Sequence, residues 1–239
     1  AGDESGRRQP VIASTGNARV RAVTALAKKA KAEGQPVMVE TCPHYLLLDE
    51  SYVEKYGAYA KCNPALRKKE DVERLWDYVK DGTVDFIGSD HSPFLVSEKE
   101  KKDKDGNKDI FLSPSGFPGI DLRLPLMITE GLKRGVSLEK IVELLSVNPA
   151  KLFHIFPQKG TISAGADGDL VIVDMNKKVT CHAEDSYSQA KGIMKVYEGW
   201  QLDCAVDSTI VRGRVVYENG KVDESASGWG EFVKPVLKK

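Results

Sequence analysis

The sequence is short of histidine, has no paired cysteines and carries no net charge. Only four histidines occur in 239 residues, and none precedes His44. Cys42, Cys62, Cys181 and Cys204 are scattered, with no C-x-x-C spacing. That argues against a thiolate zinc site and against a disulfide scaffold. Scattered cysteines in a chain of this length suit a reducing compartment, so a cytoplasmic location is expected. No apolar run approaches the ~18 residues of a membrane-spanning helix, and a membrane role is not expected. Lys+Arg and Asp+Glu are both 35, so overall charge gives no reason to expect nucleic acid or an anionic membrane as a partner. The opening AGDESGRRQP has no Met and no apolar signal core, which reads as a processed, trimmed or fragmentary start.

The remainder is ordinary for a globular protein. Apolar residues make up 41% and charged residues 29%, and the length suits one or two domains with a real core. Residues 17–34 place Val20, Val23, Ala27 and Ala30 at helical spacing and stop at Gly34. The compact apolar run 36–40 then predicts a strand. The unit recurs as a helix over 70–80, closed by Asp81-Gly82, and a strand over 84–88. Helix followed by short strand is an α/β signature. The charge run 97–110 predicts a solvated loop. Helices are expected over 120–135 and 137–147, and another from Asn148-Pro149 to Phe153. After Gly160 the pattern turns to β, with a strand over 168–174 and an apolar run over 209–217. Asn219-Gly220 follows, a pair suited to a hairpin turn that needs positive φ at both centres. The division expected is an α/β part over 1–158 and a β-rich part over 159–239.

Four segments carry polar groups at predicted strand ends or in glycine- and proline-marked loops. In Gly88-Ser89-Asp90-His91-Ser92-Pro93, Asp90 stands where a buried strand ends. A carboxylate there can ligate a metal or take a proton from metal-bound water; it can equally cap the following turn. In Glu40-Thr41-Cys42-Pro43-His44, His44 is a ligand, a substrate contact or a structural hydrogen-bonder. Asn63, before Pro64, offers polar groups from an extended backbone or merely turns a loop. Gly116-Phe117-Pro118-Gly119 lets backbone approach a ligand, or serves a turn.

Taken together, ETCPHYLLL, KCNPALR, GSDHSP, GFPG and KGTISAGADGDLVIVD occur in an order that resembles the cyclic amidohydrolases, the family of dihydropyrimidinases, hydantoinases, allantoinases and dihydroorotases. The resemblance runs from about Val37 onward. It implies an α/β fold, part of a (β/α)8 barrel, with the C-terminal portion of a small β-sandwich. It implies metal-dependent hydrolysis of a ring C–N bond in a cyclic amide such as a hydantoin, dihydropyrimidine or allantoin. Two divalent cations, typically zinc, serve complete members, which form homo-oligomers. Asp90 matches the metal-binding aspartate that also moves the proton. Asn63, Pro118 and Gly119 match loops that hold the cyclic amide, and His91 matches a pocket-shaping position. His44 does not match a metal ligand.

The same resemblance exposes what is missing. A His-x-His pair, a carbamylated lysine and two further histidines would lie ahead of His44. Val11-Ile12-Ala13-Ser14-Thr15-Gly16 is either the next expected strand with its ligand lost, or that strand is absent and Pro10–Ala30 belongs to an earlier helix. One carboxylate cannot hold two cations, so the chain is expected to be a truncated member, inactive alone. Two alternatives remain: a dihydroorotase-type enzyme, and a non-catalytic homologue that has lost its metal ligands and acts by assembly.

Overall fold

The computed structural model describes residues 11–14 and 20–236. Strand β1 (Val11–Ser14), helix α1 (Val20–Ala32) and strand β2 (Val37–Thr41) form the first unit. β1 runs parallel to β2, pairing Val11 with Val37 through Ser14 with Glu40. The Val11–Ser14 segment is thus a strand beside β2, ending on serine rather than histidine; Thr15 and Gly16 lie outside the described residues. Helix α2 (Pro43–Leu47), helix α3 (Ser51–Tyr56), a 3-10 turn (Gly57–Ala60) and helix α4 (Lys69–Lys80) lead to strand β3 (Phe86–Ile87). β3 pairs parallel to β2 and completes a sheet of order β1-β2-β3. Among the described residues the parallel sheet therefore has three strands, one more than the two clear barrel strands of the sequence. Asp85 ties the layers together: its Oδ2 accepts Val39 N at 2.6 Å and Lys31 Nζ at 2.5 Å.

The core lies between this sheet and its helices. α4 buries Val72, Leu75, Trp76 and Val79, the i, i+3, i+4, i+7 stripe its sequence predicts. Trp76 Nε1 donates to Leu46 O at 2.7 Å, and the Arg134 guanidinium lies 4.9 Å from its ring centroid. Trp76→Ala should lower stability by about 3–5 kcal/mol. Urea unfolding checks this; a loss below about 1 kcal/mol would mean that Trp76 is not the keystone its burial implies.

A four-residue helix α5 (Val96–Lys99) opens the charge run, and α6 (Arg123–Lys133) follows it. The run is largely exposed, as expected, but Lys99 departs from that reading at 1% exposure. Its Nζ donates to Ala58 O at 3.1 Å and Pro114 O at 2.9 Å. Backbone carbonyls thus replace the water of hydration, and burial lowers its pKa to about 8. Helix α7 (Leu138–Val142), capped by Ser137 Oγ accepting from Lys140 N, passes through a π-helical turn (Glu143–Val147) directly into α8 (Asn148–Leu152). The helix expected from Asn148-Pro149 to Phe153 is α8, joined to the π-helical turn without a loop between them. Asn148 is helical, at φ −67° and ψ −43°, and its Nδ2 donates to Asp85 O at 2.7 Å.

The β-rich part is an antiparallel sheet of β4 (Leu170–Asp174), β7 (Ala205–Val211), β8 (Arg214–Glu218) and β9 (Lys221–Val222). A separate pair joins β5 (Val179–Thr180) to β6 (Gln201–Leu202). Asn219 and Gly220 have φ of 52° and 78°, as the predicted hairpin turn requires. The run 209–217, read as continuous, is two strands. Arg212 and Gly213, at φ 50° and 79°, make a second turn with positive φ at both centres, hidden because arginine is not a usual turn residue.

Candidate functional site

β3 ends at Ile87, and Gly88-Ser89 carry the chain to Asp90 beyond the C-terminal end of the parallel sheet. Asp90 adopts φ 46°, the left-handed region that Asp and Asn tolerate better than most residues. The turn is held by other groups: Ser89 Oγ accepts from His91 N at 3.3 Å, and Ser92 Oγ donates to Asp90 O at 3.2 Å. Among the described residues the Asp90 carboxylate caps no backbone N–H. It is half-exposed, and partial burial raises its pKa.

His44 enters from α2, immediately after β2. It is buried, 4.0 Å from the Tyr45 ring centroid and 5.4 Å from that of Phe117. Among the described residues its Nε2 has no hydrogen-bond partner; it lies 3.8 Å from Asp90 Oδ2, too far for a hydrogen bond. Burial lowers the His44 pKa from 6.5 to about 3, so the ring is neutral near pH 7. The unfolded chain therefore binds this proton first as pH falls. The stability associated with neutral His44 is complete above about pH 6.5 and is lost progressively toward pH 3. His44→Gln should flatten that acid limb. Urea unfolding from pH 7 to pH 4 measures it, and parallel slopes for the two proteins would refute the assignment.

The loops around Asp90 are locked to one another. His91 Nδ1 accepts from Gly119 N at 3.2 Å and Ile120 N at 3.3 Å, which places the proton of a neutral ring on Nε2. Ser92 N donates to Phe117 O at 3.3 Å. Gly116 sits at φ 112°, where an added Cβ would come within 2.4 Å of Ser92 Cβ. The next loop joins through Gly116 N, which donates to Lys61 O at 2.8 Å. There Cys62 is buried, Asn63 is exposed, and the Asn63–Pro64 peptide is cis. Tyr45 Oη donates to Pro64 O at 3.1 Å. The Asp90 charge acts on Cys42, Tyr45 and Cys62, raising pKa values already raised by burial. The predicted segments thus form one connected cluster at the strand ends.

Two residues of this cluster were not singled out from sequence. The Glu40 carboxylate lies against Gly88, where a Cβ would meet its Oε1 at 2.2 Å. Burial and then the Asp90 charge raise the Glu40 pKa. An acidic residue ending an apolar strand was the available signal. Arg123, at the start of α6, donates from Nη1 to Ile87 O at 3.2 Å, and nothing in its local sequence marks that contact. Among the described residues no three His, Cys, Asp or Glu side chains gather closely enough to hold a metal ion. No described helix is long and apolar enough to cross a membrane, and all four cysteines are free and buried.

The sequence profile described as the amidohydrolase family matches residues 16–216. The L-hydantoinase of Paenarthrobacter aurescens is 38% identical over 211 residues, spanning 87% of this chain and 44% of the relative. A D-phenylhydantoinase of Escherichia coli is 36% identical over 207 residues, spanning 86% and 44%. Among solved structures, a D-hydantoinase (dihydropyrimidinase) from Thermus sp. superposes with a TM-score of 0.79 at 31% identity, covering 88% of this chain and 45% of that one. The L-hydantoinase from Arthrobacter aurescens gives 0.78 at 35% identity, covering 89% and 45%. The chain spans less than half the length of these relatives.

Proposed function

Because the chain belongs to the amidohydrolase family and has its mixed architecture of parallel α/β and antiparallel sheets, we propose that it carries one wall of a metal-dependent site that hydrolyses the ring C–N bond of a cyclic amide. Substrates of the hydantoin or dihydropyrimidine type are favoured, since the relatives at 36–38% identity bear hydantoinase names. The observation that carries the proposal is Asp90. It stands at a strand end, free of structural duty, beside an orphaned histidine nitrogen. Residues 1–158 are the barrel part and 159–239 the sandwich part.

The described residues do not fit a complete two-cation centre; Asp90 fits as a single ligand of one. Zinc ions, when bound, supply a polarised carbonyl and hydroxide near neutral pH. This chain's own share is narrower. Asp90 accepts a proton at a carboxylate oxygen and returns it to the leaving ring nitrogen. His91 holds the Gly119 and Ile120 amides, so the Pro118-Gly119 loop keeps a fixed face toward the ring, and Asn63 offers polar groups from the opposite loop. Because the Gly119 N–H is committed to His91, ligand contacts from that residue fall to its other atoms.

Co-expression with the upstream portion of a related hydantoinase, which would supply the missing histidines and lysine, tests the proposal. The purified pair should retain zinc and open hydantoin or dihydrouracil, with homo-oligomers of the pair expected; the chain alone should do neither. Turnover of dihydroorotate alone would move the assignment to that class. Zinc retained without opening any of the three rings would sink it. A well-folded zinc-free oligomer would favour the non-catalytic assembly role.

A further inference from the structure

A carboxylate that carries a proton must keep its oxygens within about 0.5 Å of their working places, and the turn around Asp90 does not do this. Ser89 Oγ and Ser92 Oγ hold the turn's backbone, not the side chain. The carboxylate is half-exposed, and its pKa is raised by partial burial alone, with no hydrogen-bond donor contributing. One buried polar atom faces it. His44 Nε2 stands 3.8 Å from Oδ2 and has no hydrogen-bond partner among the described residues. The His44 ring is 4% exposed and packed against the rings of Tyr45 and Phe117, so it cannot travel. The exposed carboxylate can: a swing of about 1 Å brings Oδ2 to the ~2.8 Å of a charge-assisted N–H···O bond. Catalytic hydrogen bonds are often long in an unfilled site and tighten when it is filled. The place of the proton follows as well. A neutral imidazole has one N–H to place, and a lone pair on Nε2 would face the lone pairs of the carboxylate. Attraction to Asp90 favours the proton on Nε2.

We propose that His44 is the positioning residue for Asp90: its Nε2–H takes Oδ2, so that the other carboxylate oxygen is held for the proton in transit. The inference rests on the reading of Asp90 as the proton carrier. A neutral donor suits the post. It fixes the carboxylate without cancelling the negative charge that attracts a cation or a proton, as a lysine or arginine there would. An apolar residue of similar size would fill the same space and leave the carboxylate free to turn.

Two readouts test this, and the first needs no catalysis. In the whole chain labelled with nitrogen-15 histidine, long-range proton–nitrogen NMR near neutral pH should show His44 neutral with its proton on Nε2. Asp90→Asn should move that Nε2–H resonance while His154 and His182 stay fixed. A proton on Nδ1, or an Nε2–H signal indifferent to Asp90→Asn, would overturn the proposal. The second readout is kinetic, in the protein completed by its upstream portion. His44→Leu should lower kcat about 10–100-fold with KM changed by less than about threefold, the loss expected of a reacting group about 1 Å out of place. His44→Gln, whose amide can donate in place of Nε2–H, should recover most of that loss. Equal loss in both variants, or a loss carried by KM, would assign His44 to packing and sink the positioning role. If the completed protein opens no ring, the functional reading fails by itself, and the NMR result decides whether His44 and Asp90 are partners.

Discussion

Asp90→Asn should reduce ring opening by the completed protein at least about 10³-fold, because the substitution removes a proton acceptor and a negative metal ligand together. The choice of asparagine makes the result interpretable. Asp90 sits at φ 46°, and asparagine occupies that left-handed region as readily as aspartate, whereas alanine would strain it. The carboxylate holds no backbone amide, and the turn is kept by Ser89 Oγ and by the Asp90 carbonyl, all of which survive the change. Folding should therefore be unaffected, and thermal unfolding of the variant should match the parent within about 0.5 kcal/mol. The measurement is kcat/KM for hydantoin with zinc counted in the same preparation. A variant with near-normal turnover would remove Asp90 from the chemistry. A variant that unfolds would show that the residue's role is in the turn after all.

Gly116→Ala is expected to release the loop that His91 organises. Two independent penalties meet there: the φ of 112° is a glycine region, and the new methyl would stand within 2.4 Å of Ser92 Cβ. Neither is relieved by rotating a flexible side chain, since Ser92 is tied through its backbone N–H to Phe117 O. Strain and overpacking together should cost about 2–5 kcal/mol, concentrated where segments 88–93 and 116–120 touch. Amide hydrogen exchange is the suitable probe. Protection should fall in those two segments while α4 and α6 keep theirs. Unchanged protection at Gly119 and Ile120, the donors to His91, would contradict this account of how the loop is held.

The sequence revealed elements wherever local pattern and tertiary packing agree. The Val72, Leu75, Trp76 stripe predicts α4, and Asn219-Gly220 predicts its turn, because each signal is written within a few residues. Arg212-Gly213 was missed for the converse reason: only the strand pairing of β7 and β8 demands positive φ at an arginine. Lys99 was lost inside a charge run, since its burial depends on carbonyls from Ala58 and Pro114, neither of which announces itself. At the site, the motif segments marked Asp90 and the loops around it. The approach of Glu40 to Gly88 and the orphaned nitrogen of His44 depend on the register of β2 against β3. A one-residue shift of that register would turn Glu40 to the other face.

Among the described residues β1 and β3 each have one neighbour, β2. At the β3 side, Arg123 Nη1 and Asn148 Nδ2 already take the Ile87 and Asp85 carbonyls, so it is the outer side of β1 that has no strand neighbour among the described residues, the feature by which strands recruit strands. Where that edge stays open, the expected outcome is pairing with other strands and aggregation that grows with concentration; where a further strand covers it, that route is closed.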